Sequence, residues 1–172
     1  MMSSVFPFQW LKIDLMSYFG GNASLCILRE SDARFSIRSL RGFGEYDAFD
    51  AFETQARTPE FDEMQFSAQH PNIICTRTER NNIAMHEAAK GWSKLHLRLW
   101  SRFYVEDAVD GIEWAVKYTP GNRVITRSGN GIWPTNWPAF LSFIKIFDRD
   151  FANLPIVKAT LYTYGPGFRI LG

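Results

Sequence analysis

Sulfur and imidazole are scarce in this chain: two cysteines and three histidines occur in 172 residues. Two cysteines are too few for a disulfide-dense scaffold, and His70 and His96 have no Cys or His at ligand spacing, so no zinc site is expected. Cys26 and Cys75 each lie inside an apolar run, where a free thiol acts as a small hydrophobe, so both are read as reduced core residues. A disulfide between them stays open as the alternative. Charge of one sign is also lacking, since 19 Lys and Arg against 18 Asp and Glu leave a formal net charge of +1. Nothing global therefore draws the chain to a phosphate backbone or an anionic membrane, and any basic site must be local. Long apolar runs are missing as well. No stretch approaches the ~20 residues needed to span a bilayer. The N-terminal stretch Met1–Phe19 opens without Lys or Arg and carries Lys12 and Asp14 in its middle, unlike a signal peptide. The expected location is cytoplasmic or virion-associated, with no membrane insertion. Met16 is a candidate start, which makes Met1–Leu15 a candidate N-terminal extension or arm.

Catalytic signatures are equally thin. There is no GxSxG elbow, no P-loop, and no GxGxxG after a strand. His86-Glu87-Ala88-Ala89-Lys90 resembles half of an HExxH metal motif, but Lys90 sits where the second ligand belongs. No cofactor and no metal are expected. The carboxylates Glu45, Asp47, Asp50, Glu53, Glu60, Asp62 and Glu63 crowd one segment with Arg57 as its sole cation. Such density points to a solvated or contact face, because a catalytic pair needs only one or two buried acids with displaced pKa values.

Aromatic residues are what the chain does hold, at 16% with fifteen Phe, six Trp and six Tyr. That is surface enough for a large core with some to spare. The length fits one domain spanning 1–172. Leu11, Ile13 and Leu15 alternate with Lys12 and Asp14 as a strand does, and Leu25–Glu30 with Arg34–Leu40 forms a hairpin across a short loop. On its second strand Phe35 and Ile37 oppose Ser36 and Arg38, which predicts a sheet with one wet face. Tyr46, Phe49 and Phe52 fall at helical spacing. Met64–Gln69 and Asn72–Glu79 read as strands, and Asn81–Lys90 as a helix stopped by Gly91. Leu95, Leu97 and Leu99 alternate with Lys94, His96 and Arg98, predicting a strand with a basic face. Val105, Val109, Ile112 and Val116 predict a helix closed by Thr119-Pro120-Gly121. Arg123–Thr126 is a short strand before a flexible Ser128–Gly131 turn. Pro138 opens a helix through Ala152 with Phe140, Ile144, Phe147 and Phe151 buried, and Ile156–Tyr164 closes the chain as a strand. The fold class is α+β: a mixed or mainly antiparallel sheet with two to three helices packed on one face.

Two features suggest contact surfaces. Lys94, His96, Arg98 and Arg102 mark a locally basic stretch interleaved with aromatics, the ingredients of a single-strand nucleic-acid platform. Trp133 and Trp137, each followed by proline, are rigid candidate anchors on a loop, unless they fold back onto the core. The expected function is non-enzymatic: binding or assembly through a protein partner or self-association, as in a subunit of a larger complex, a viral structural component or a small inhibitor of immunity type. The alternatives are a metal-dependent hydrolase or nuclease pairing Asp47 or Asp50 with Glu106, and single-stranded nucleic-acid binding.

Overall fold

A computed structural model describes residues 6–17, 21–31, 33–44, 46–58, 60–105 and 111–162. Strand β1 (Trp10–Ser17) pairs antiparallel with β2 (Gly21–Ser31), which pairs with β3 (Arg34–Gly42) across the expected hairpin. Helices α1 (Tyr46–Gln55) and α2 (Glu63–Gln69) follow, then strand β4 (Ile73–Arg80) on the free edge of β3. Helix α3 (Met85–Leu95) runs into a 3-10 turn at Leu97–Leu99 and the short strand β5 (Phe103–Val105). Strands β6 (Glu113–Tyr118) and β7 (Ile125–Asn130) then lead to α4 (Trp137–Phe147), α5 (Arg149–Ala152) and α6 (Pro155–Tyr162). The described residues form a sheet of seven strands in the order β4-β3-β2-β1-β6-β7-β5, antiparallel except where β5 meets β7. This is a single α+β domain with a mixed sheet.

The sheet is covered on both faces over β1 to β3, because its two side-chain sets both find apolar partners, while β4 buries only Ile73 and Cys75 on one face. On one face Leu11, Ile13, Leu25, Ile27, Phe35 and Ile37 pack with Phe140, Ile144 and Phe147 of α4 and with Val157 of α6. On the other, Trp10, Cys26, Leu40 and Ile73 meet Phe49 and Phe52 of α1 and Phe66 of α2. Among the described residues six helices on two faces thus replace the expected two to three on one. The predicted wet face is consequently dry: Ser36 and Arg38 are each 2% exposed.

Several predicted elements change type. Met64–Gln69 is helical because the Asp62 side chain caps it, accepting from the Gln65 N–H at 3.0 Å. Gly91 stays inside α3, and the alternation at Leu95–Leu99 straddles the end of that helix and the 3-10 turn. The predicted helix over 105–116 is instead, where described, the end of β5 and the start of β6, with Trp114, Val116 and Tyr118 buried at a two-residue period. The Ser128–Gly131 turn belongs largely to β7, and Ile156–Tyr162 is helical. Helix α4 and its buried Phe140, Ile144 and Phe147 match the expectation. Trp10–Leu15, within the segment read as a candidate extension, lies in the central strand between β2 and β6.

Cys26 on β2 and Cys75 on β4 flank β3, so two inter-strand spacings of nearly 5 Å separate them. That exceeds disulfide reach, and both are free and buried. The Cys26 thiol accepts from the Trp10 indole at 2.8 Å. Burial pushes both thiols up to about 12.

Candidate functional site

Three regions hold the polar and aromatic side chains that the sheet and helices bring together. The first lies where α1 crosses the sheet centre. Lys12 points toward α1 from the middle of β1, and its side chain is only 2% exposed. Its ammonium donates to Asp14 Oδ2 at 2.8 Å and lies 3.6 Å from Glu53 Oε2 of α1. Ser24 Oγ donates to the other Asp14 oxygen, and Lys117 Nζ to Glu53 Oε1. Two cations thus meet two carboxylates. Burial raises the Glu53 carboxyl, but the hydrogen bond from Lys117 and the charges of Lys12 and Lys117 outweigh it and hold the pKa below its ordinary value. Lys12 is engaged with both acids, and Ser24 is 0% exposed, beyond a substrate's reach. The arrangement pins α1 to the sheet. Beside it opens a cleft of about 380 Å³ that Asp50, Glu113 and Phe103 help to line.

Three of the seven carboxylates of the acidic segment have internal partners. Glu53 serves this network, Asp62 caps α2, and Glu63 accepts from buried Arg38 at 2.8 Å. Asp47, Asp50 and Glu60 remain exposed. Glu106, the expected partner of Asp47 or Asp50, lies outside the described residues. Among the described residues no three His, Cys, Asp or Glu side chains stand close enough to share a metal ion.

The second region is an aromatic nest. Trp133 and Trp137 are 3% and 0% exposed, so neither is a surface anchor. Their Trp-Pro loop folds them against Trp114 and each other, with ring centroids 4.6–5.8 Å apart. Burying a large apolar ring outweighs any gain from leaving it in water. Trp137 Nε1 donates to Thr160 Oγ1 at 2.8 Å. Trp100 enters the same nest, 6.1 Å from Trp114 and from Trp137, and donates to Asn136 Oδ1 at 2.8 Å. Trp100 therefore fixes the backbone on either side of it.

That backbone carries the third region. Lys94 lies in the last turn of α3, His96 follows that helix in the left-handed conformation at φ 47°, and Arg98 lies in the 3-10 turn. Lys94, His96, Arg98 and Arg102 are all exposed, but on a helix end, a turn and a loop rather than on one strand face. Leu99 and Phe103 stand out among them at 82% and 71% exposure. Below Arg98 a cavity of about 740 Å³ opens between α3 and the end of β6, lined in part by Trp92, His96 and Tyr118. Burial raises the Tyr118 hydroxyl above its ordinary pKa, against the opposing charges of Arg127, Arg98 and Arg123. The other two histidines lie elsewhere: His70 stacks on Phe66 with centroids 4.7 Å apart, and His86 is exposed on α3.

No protein-family model matches the chain, and no curated protein or solved structure is matched by it. Sequence reasoning marked His96, Arg98 and Arg102 but passed over Lys12, Asp14, Ser24 and Lys117. Lys12 and Asp14 looked like the wet side of an alternating strand. The available signal was the acidic, aromatic helix at Tyr46–Gln55, whose Glu53 needs a cation once Phe49 and Phe52 dock.

Proposed function

We propose that this chain is a non-enzymatic binding or assembly protein that works through contact with a protein partner or a second copy of itself. One observation carries the reading: Leu99 and Phe103, 82% and 71% exposed, flank buried Trp100 and alternate with exposed Arg98 and Arg102. Isolated exposed leucines are common, but large apolar side chains interleaved with arginine on a braced segment have the composition of an interface centre. Phe103 also opens β5, the end strand of the sheet, whose outer edge meets no further described strand. Asp47, Asp50 and Glu60 on the α1 and α2 side offer matching negative charge for a second copy.

Size-exclusion chromatography with light scattering, at low and high salt, tests this alongside capture of partners from the source lysate. Association, or a specific partner, that Leu99→Ser with Phe103→Ser abolishes without lowering Tm is the expected result. A strict monomer that captures nothing at either salt concentration overturns the reading.

A further inference from the structure

Strand β4 lies at the opposite end of the sheet from β5, and all of it, from Ile73 to Arg80, pairs with β3 in one unbroken antiparallel register. Backbone groups of such a strand point alternately to its two sides, so every second residue aims its N–H and C=O away from β3. Two hydrogen bonds show which residues these are. The Ile73 N–H donates to the His70 carbonyl at 2.9 Å and the Cys75 N–H to Ser67 Oγ at 3.1 Å, both away from the sheet. Arg77 and Glu79 continue the same phase and face the same way, where they meet no described strand. The end of α2 thus covers the edge at Ile73 and Cys75 and leaves Thr76–Arg80 open, with every residue of that span exposed. Proteins commonly blunt an open edge with proline, a bulge or lysines that repel another copy. β4 has none of these, and its charges alternate in sign instead.

A second copy fits this edge in one register. Two-fold pairing of β4 with β4 is antiparallel, and within the open span Thr76–Arg80 it centres on Thr78. Arg77 then stands opposite Glu79 of the second copy, and Glu79 opposite its Arg77. Both residues turn their backbone groups outward, so each pair exchanges both N–H···O=C bonds. Their side chains share one sheet face and meet as unlike charges, a favourable cross-strand pair. Within its own chain Arg77 already pairs with Glu79 at 2.9 Å and lies 3.8 Å from Glu30, so the charges continue as an alternating row across the axis. Thr78 falls opposite itself, in the non-hydrogen-bonded position where side chains come closest. The adjacent registers that keep the backbone phase centre on Arg77 or on Glu79, and each sets like charges directly opposite, which is destabilising.

We propose that two copies of this chain join their sheets edge to edge, through antiparallel pairing of β4 about a two-fold axis at Thr78. This contact goes beyond the one assigned to Leu99 and Phe103, which lies toward the β5 end of the sheet. The test uses the full chain carrying Leu99→Ser with Phe103→Ser, which removes that other patch, so the two readings fail separately. Sedimentation velocity over a micromolar to millimolar concentration series is expected to show a weak dimer, as befits a short contact. Glu79→Pro removes a donor that faces away from β3, so the dimer weakens at least tenfold while the Tm of the monomer holds. Arg77→Glu also weakens it at least tenfold, and adding Glu79→Arg restores it, because the swap re-forms unlike pairs across the axis. Under mild oxidation Thr78→Cys, on the axis, forms a disulfide between copies, whereas Thr76→Cys, opposite Arg80 of the second copy, does not. A chain that stays monomeric at millimolar concentration overturns the proposal. So does a dimer that Glu79→Pro and Arg77→Glu leave unchanged, and so does crosslinking through Thr76→Cys as ready as through Thr78→Cys.

Discussion

Replacing Lys12 with methionine tests the claim that α1 is held to the sheet by a buried ion network. Methionine keeps the unbranched shape and removes the charge, leaving Asp14 and Glu53 without their shared ammonium. Removing one partner of a fully buried pair costs about 3–5 kcal/mol, mostly because the other charge is stranded. Here the stranded groups retain some water, since the Asp14 and Glu53 side chains are 18% and 31% exposed. Glu53 also keeps Lys117. The expected loss is therefore below that range, about 2 kcal/mol, or a fall in Tm of roughly 4–8 °C for a chain of this size. Urea denaturation followed by tryptophan fluorescence at pH 7 measures it. The sign with pH is fixed by Glu53: its carboxyl is held below the ordinary value in the folded state, so its stabilisation is full above the unfolded pKa and disappears as pH falls through the folded one. The gap between wild type and Lys12→Met must then narrow in acid. A variant within about 0.5 kcal/mol of wild type at pH 7, or a gap that widens on acidification, refutes the reasoning; surface substitutions stay within that margin.

Two further outcomes are expected. A Cβ at Gly129 lies 2.5 Å from Trp114 Nε1 and 2.9 Å from the Ile132 carbonyl, so Gly129→Ala displaces the indole and its 2.7 Å bond to that carbonyl. It should cost about 1–3 kcal/mol in thermal melts, whereas Gly91→Ala, whose Cβ meets Phe143 at an ordinary 3.4 Å inside α3, should be neutral or stabilising. Cys26 and Cys75, buried and pushed up to about 12, should resist a thiol-reactive disulfide reagent at neutral pH and react only in denaturant. Rapid labelling of either thiol in the native protein contradicts the burial assigned to it.

Plain periodicity does not by itself select the element: the hairpin and α4 form as expected, whereas the strand expected at Leu95–Leu99 and the helix expected over 105–116 do not. The hairpin of β2 and β3 and the buried stripe of α4 were legible because each had a long run and its own punctuation. The segments that switched type satisfied two periods at once. Val105 to Val116 fits a helix by its valines, yet Trp114, Val116 and Tyr118 alternate equally well, and pairing with β1 on one side and β7 on the other selects the strand. Leu95, Leu97 and Leu99 alternate, but α3 carries the chain to Leu95 and leaves Leu99 in solvent. The candidate site is legible in part: Arg98 and His96 stand out as local basic residues, while Lys12, Asp14 and Glu53 gain meaning only when α1 lies across β1.

Composition and pattern alone determined a one-domain α+β chain and an aromatic core, because these follow from the residue inventory and from short-range spacing; that the two cysteines are free was decided by the placement of β3 between them. The tertiary structure decided which polar residues are buried. Lys12, Ser36 and Arg38 read as a solvated face, and they become interior only because α1 and α2 return over the sheet. It likewise decided that Trp133 and Trp137 are core while Leu99 and Phe103 are surface. Solvent exposure is set by what else occupies the neighbouring space, and no local pattern records that.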